Sequence, residues 1–266
     1  MTTATALPGL FSLGLARGGT ELREFFRQRE NVVFTFSLPA VIMLLLGTVY
    51  VKQPIQGQLF AASMVGAGII STSFVGLGIS IAADREDGTL KRLHGTPMPL
   101  ASYFIGKTIL VLVSSLAEVV LLLAVAWLRF DVELPTDPKK IATFAWVFLL
   151  GVIACSLLGT VVSSLAKSTR SAPAVLNLPY IILQFISGVF ISPLTALPDS
   201  LQITGAIFPL KWVCQGFRSV FASDEYQVLE VAGSWELGKI ALVLGAWCVA
   251  GLLLVTRTFR WTNDNR

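Results

Sequence analysis

Six apolar runs of near membrane length dictate what this chain can become: residues 32–51, 59–83, 105–128, 141–165, 172–191 and 237–256. About 20 residues of helix cross the hydrocarbon core of a bilayer, and a backbone in lipid has no water to satisfy it, so such runs must close their hydrogen bonds as helices. The charge content agrees. Only 14% of the 266 residues are charged, well short of the roughly 25% of soluble domains. The expectation is an all-α polytopic membrane protein, a single domain over residues 1–266 with six transmembrane helices. No cleavable leader is expected, because the first run starts only near Val32 and is itself of full membrane length.

The second run carries small residues at helical spacing: Ser63, Ala67 and Ser71 on one stripe, Gly68, Thr72, Gly76 and Ser80 on another. Such stripes let backbones approach closely, which predicts a helix central to the bundle. Before the first run, Leu22, Phe25, Phe26 and Val33 share a face, while Arg23, Arg27 and Arg29 lie among polar neighbours. An amphipathic interface helix is expected over residues 17–31, with the residues that open the chain poorly ordered. Residues 192–235 are moderately apolar and broken by Pro193, Pro198 and Pro209. Their pieces are too short to span, so they predict re-entrant or surface-lying helices before the last span, with Trp212 and Phe217 at headgroup level.

Between the second and third runs lies a polar stretch, residues 84–97, that is too structured to be a connector. Asp84 or Asp87 can cap a helix start, residues 89–93 read as a helical turn, and Gly95 with Pro97 stops it. A short docking helix is expected there, charged on one side with Leu90 and Leu93 on the other. Lysines and arginines concentrate on the side holding both termini and this stretch, from Arg17 through Arg92 and Lys107 to Arg260 and Arg266, which predicts that this side is cytoplasmic. The excess positive charge is thereby explained without a nucleic-acid partner.

Chemistry is sparse. Residues 101–108 end like a phosphate loop, yet Ala101 stands where the first glycine belongs and no strand precedes it. Lys107 is therefore expected to be a snorkelling anchor. The single His94 reads as a surface contact, and the three cysteines, Cys155, Cys214 and Cys248, have no metal-ligand or disulfide spacing. No catalytic residue, metal site or cofactor is expected within the chain. Glu118 is the one ionisable residue deep in a run, where charge is normally turned inward and paired. It has three readings: a substrate contact, a brace between two copies, or a neutral hydrogen-bonded structural group. Asn177 and Gln184 share a face of the fifth run, as interhelical glue or as part of a substrate path.

The pattern Glu86-Asp87-Gly88-Thr89-Leu90, then Thr96-Pro97, then Gly106-Lys107 resembles the signature of ABC-2-type permeases, the membrane subunits of one class of ATP-binding-cassette exporters. Within that family the chain is most similar to the daunorubicin-resistance permease type, through its size and the ending Arg257, Arg260, Trp261. The resemblance implies that residues 84–97 form a cytoplasmic coupling helix: Asp84, Arg85, Glu86, Asp87, Gly88, Thr89, Leu90, Arg92, Leu93, Thr96 and Pro97 would engage a separate ATPase subunit. ATP and magnesium would then sit on that subunit, with Arg23, Phe26, Arg27 and Arg29 on the interface helix beside it. It further implies a plasma or inner membrane location and pairing with a second copy or a homologue around the path. The cargo would be an amphipathic drug, lipid or glycoconjugate, as in multidrug efflux. The alternative is an ion- or proton-coupled carrier that uses Glu118, although the internal repeat and multiple buried charges of such carriers are not seen.

Overall fold

The computed structural model describes residues 9–96 and 98–259, apart from the side chains of Pro54 and His94. Pro97, Arg260, Trp261, Arg266 and the first eight residues lie outside the described residues, as does the expectation about His94. Among the described residues the chain is all helical, with five helices long and apolar enough to cross a membrane.

The first helix, α1 (Leu10–Arg27), breaks at Gln28, and α2 (Arg29–Tyr50) follows at once with Pro39 inside it. This first helix thus starts earlier than the interface helix expected over residues 17–31 and ends before Arg29, which opens the first span. Its buried side also differs. Gly14, Gly18 and Glu21 face inward, while Leu22 and Phe25 are half-buried and Arg23, Phe26, Arg27 and Arg29 are exposed.

The second span is continuous from α3 (Pro54–Ile70) through a π-helical turn, Ser71–Gly76, into α4 (Leu77–Glu86). It is the centre of the molecule, as its small residues predicted. Its most apolar stretch is 78% buried, against 22% for both α2 and the last helix. The glycines show why: a Cβ on Gly66 would meet Cys214 Sγ at 2.7 Å, and one on Gly78 would meet Leu176 at 2.7 Å. The π turn was not legible in the sequence. Across it, Thr72 and Ser115 share a hydroxyl hydrogen bond of 2.6 Å.

After Gly88 comes the six-residue α5 (Thr89–His94), then α6 (Leu100–Phe130) and α7 (Pro138–Ser163). Asp137 caps α7 by accepting the Lys139 N–H at 2.9 Å. The fifth apolar run makes only 15 residues of helix, α8 (Ala172–Ile186). It ends five residues short of expectation because the chain turns at Gly188, whose φ of +78° suits glycine.

Residues 192–235 hold α9 (Asp199–Ile207) and α10 (Pro209–Phe221), flanked by 3-10 turns at Leu194–Ala196 and Asp224–Leu229. Here the sequence reading needs correction. Every residue of α10 is buried, and Trp212 and Phe217 are core residues at 2% and 0% exposure rather than headgroup anchors. The helix wedges between α3 and α7, with Gly151 and Gly216 accommodating Val213 and Val147. The last span, α11 (Leu237–Thr258), lies along α7, where Gly251 leaves room for Leu157.

Candidate functional site: the α4–α5 elbow and its buried anchor

The sequence placed a docking element over residues 84–97, and the structure divides it in two. Asp84, Arg85 and Glu86 are the last turn of α4, with Arg85 buried and Glu86 exposed, and neither Asp84 nor Asp87 caps a helix start; Asp87 is the C-cap of α4. Instead Gly88 is the N-cap of α5, with φ +71°, ψ 12°. That left-handed conformation costs an ordinary residue roughly 1–2 kcal/mol, and glycine escapes the cost. The outcome is a sharp elbow that projects α5 from the end of the bundle. Leu90 is fully buried, Leu93 is half-buried, and Lys91 and Arg92 face out. The charged-on-one-side pattern is therefore as expected. Arg92 donates to Thr89 Oγ1 at 3.1 Å, and the Thr96 hydroxyl donates to the Leu93 carbonyl at 2.7 Å, closing the far end beside Gly95.

Behind the elbow sits a buried ionic cluster that no sequence motif announced. Lys107 of α6 is 1% exposed. Its ammonium meets Asp84 at 2.7 Å and Glu21 of α1 at 2.8 Å, and donates to Ser80 Oγ at 2.7 Å. Tyr103 donates its hydroxyl proton to Asp84 Oδ2 at 2.8 Å, and Arg17 pairs with Glu21 at 2.5 Å. Lys107 is thus no snorkelling anchor. Full satisfaction of its three donors by oxygen acceptors on two other helices explains why it is held inside rather than released to the interface. A signal did exist. Gly14, Gly18 and Glu21 lie four and three residues apart, so they form one stripe of α1. Gly106 completes the close approach, since a Cβ there would stand 2.6 Å from Arg17 Cγ and 3.2 Å from Gly18 N.

The rest of the α4 terminus is tied to the neighbouring turn. The Arg85 guanidinium, 7% exposed, donates to the Ser163 carbonyl at the end of α7 at 3.1 Å. The Glu86 carboxylate accepts the Thr169 backbone N–H in the α7–α8 turn.

The intramembrane candidates lie elsewhere. Glu118 is fully buried, its carboxyl group lies 3.1 Å from where a Gly68 Cβ would stand, and both of its oxygens lack a hydrogen-bond partner. Gln184 is buried and Asn177 half-buried on α8, with Gln184 and Ser71 beside Tyr180. The structure does not bring these groups to the elbow. Glu118 also lines neither of two large cavities. One, of about 440 Å³, lies between α2, α3 and residues 189–193 at the opposite end from α5. The other, of about 940 Å³, is an apolar groove between α6, α7 and α11. At the same end as the smaller cavity, the Arg218 guanidinium makes a two-pronged pair with Glu230, at 2.5 and 3.0 Å, and donates to Ser63 Oγ at 3.1 Å. Among the described residues no group of His, Cys, Asp and Glu is placed to hold a metal ion.

Comparison with known proteins gives this arrangement its context. The sequence pattern of the ABC-2 type transporter family matches residues 18–222. The chain is 25% identical to the protein of Porphyra purpurea named "Putative transport permease ycf38", over 86% of this chain and 84% of that protein. It is 26% identical to the protein of the same name from Pyropia yezoensis, over 89% and 85%. The matched region takes in Gly18 and Glu21 of α1, the elbow, Asp84 and Lys107 of the ionic cluster, and α10. With its membrane-length helices, this chain belongs to the ABC-2 type transporter family, multi-pass membrane permeases that work with an ATP-binding-cassette ATPase subunit.

Proposed function

We propose that the chain is the membrane half of an ATP-driven exporter, in which α5 docks into a separate ATPase subunit and two permease copies enclose the path. The observation that carries this reading is the elbow: a short helix with basic residues outward, projecting on a glycine and braced from behind by the Asp84–Lys107–Glu21 cluster. A push on α5 has little slack to lose before it reaches α4, α6 and α1. The Lys and Arg distribution supports a cytoplasmic position for this end and both termini, in a cell whose plasma or inner membrane holds the protein.

The cargo on this reading is an uncharged or weakly charged amphiphile, a drug, lipid or glycoconjugate, as for the daunorubicin-resistance type. The cavity of about 440 Å³ supports it, because Tyr50, Gln53, Gln56, Ser63, Ser192 and Tyr226 join apolar side chains in its walls and, among the described residues, no charged one lines it. Exposed apolar faces on α2 (Phe34, Leu38, Val41, Leu45) and α8 (Leu178, Ile181, Ile182, Phe185) support a second copy on that side.

The test is capture of the ATPase subunit by the solubilised full chain, with and without residues 88–95 replaced by a Gly/Ser linker. This replacement spares Asp84, whose loss would disturb the bundle itself. Capture by the intact chain alone is the expected result. Equal capture by both forms removes α5 as the docking element, and no capture by either removes the exporter reading.

A further inference from the structure

Glu86 stands in the signature stretch, where the family resemblance gives it to the ATPase, yet its carboxylate is turned to a partner within the chain. It accepts the backbone N–H of Thr169, 83 residues away, in the turn that joins α7 to α8. Arg170, the next residue, adds electrostatic attraction. This turn is not a loose loop. Ser168 and Ser171 bond each other reciprocally, with the Ser168 N–H meeting Ser171 Oγ at 3.1 Å and the Ser171 N–H meeting Ser168 Oγ at 3.2 Å. The Ala172 N–H bonds the Ser168 carbonyl at 3.0 Å, so the turn runs rigidly into the first residue of α8. The adjoining Arg85 bond to the Ser163 carbonyl is buried, whereas Glu86 is exposed. The first tie is permanent in character, and the second can open in water.

We infer that Glu86 is a positioning residue: a latch that makes the α7–α8 turn a second coupling element, moving with α5 and delivering the elbow's displacement to α8. The Lys107 cluster joins the elbow to α6 and α1, and α4 itself touches α8 further along, where Gly78 packs on Leu176. The latch adds a tie at the very end of α4, beside the elbow. Helix α8 carries Tyr180, which bonds both Gln184 and Ser71 of the π turn, so a shift at the α7–α8 turn arrives in the middle of the bundle. A charge-assisted acceptor on a backbone N–H is short-range and directional, and it is lost once the elbow swings by a few ångströms.

The inference rests on the exporter reading for its purpose but not for its geometry, so the experiment has two arms. In the first, amide hydrogen exchange over residues 165–172 is measured on the purified full chain in lipid nanodiscs without any ATPase. Glu86→Ala should speed exchange at Thr169 about tenfold, and Glu86→Gln, which keeps an acceptor oxygen, should fall between it and the parent. Unchanged exchange in Glu86→Ala overturns the latch. In the second arm, ATP hydrolysis by the reconstituted complex is compared for Glu86→Ala, Thr169→Pro and the double variant. Because both remove one bond, the double variant should hydrolyse ATP no differently from either single one, with Glu86→Gln partly rescued. Multiplying effects, or loss in Glu86→Ala alone, would give Glu86 to the ATPase and overturn the proposal. If no ATPase binds the parent chain, the exporter reading falls, and the exchange arm still decides the latch.

Discussion

A single lysine decides how three elements of this protein meet. Lys107 takes two carboxylates and a hydroxyl inside the bundle, and removing one member of a buried ionic group typically costs 3–5 kcal/mol because its partners stay behind uncompensated. Lys107→Met should therefore lower the midpoint of thermal unfolding in detergent strongly, while Lys107→Met combined with Glu21→Gln and Asp84→Asn recovers much of the loss. A triple variant as unstable as the single one would show that charge compensation is not what holds the cluster. Arg218 invites the same comparison at the opposite end. Arg218→Met strands Glu230, which is 5% exposed, and should destabilise by about 3–5 kcal/mol, whereas Arg218→Met with Glu230→Leu should come much closer to the parent in the same melt.

At the scale of elements, two backbone sites carry the geometry. Gly88 holds φ +71° with nothing within 4 Å of its would-be Cβ, so conformation and not space restricts it. Gly88→Asn, which tolerates the left-handed region, should keep ATPase capture, and Gly88→Val should lose most of it by straightening the elbow. Equal capture by both would separate docking from the elbow's shape. Gly159 is the opposite case. A Cβ there would stand 2.5 Å from the Phe74 carbonyl oxygen, an atom of the π turn's own backbone. Backbone cannot swing aside as a flexible side chain does, so Gly159→Ala should destabilise by about 1–3 kcal/mol, read as a lower melting midpoint with faster exchange over residues 71–76.

For the molecule as a whole, stability responds to pH through one buried lysine of α10. Burial is the main cause that pushes Lys211 of α10 down from 10.5 to about 8, with Arg218 and Lys239 adding to it and Glu230 and Glu236 opposing. Its ammonium lies 3.7 Å from the Trp212 ring centroid. The unfolded chain then holds this proton more tightly than the folded one, so the group's contribution favours folding increasingly as pH rises from about 8 toward 10.5. Lys211→Met should flatten that rise in a pH series of thermal melts. An identical slope in both proteins would mean that other groups produce it.

How much of this was legible depends on range. Spans, the centrality of residues 59–83 and the short helix over residues 89–93 were readable, because length and periodicity are local properties fixed by the bilayer and by the helix repeat. The family signature was readable for the same reason. The anchor behind the elbow was not, since Glu21, Asp84 and Lys107 are far apart in sequence and each alone resembles an interfacial charge. The inward placement of Trp212 and Phe217 was hidden too, because a short broken helix carries no record of which neighbours will cover it. The sequence by itself determined a helical membrane permease with a polar docking turn. Only the tertiary structure decided which charges are buried and paired, because burying an ion depends on partners that chain folding brings together from distant positions.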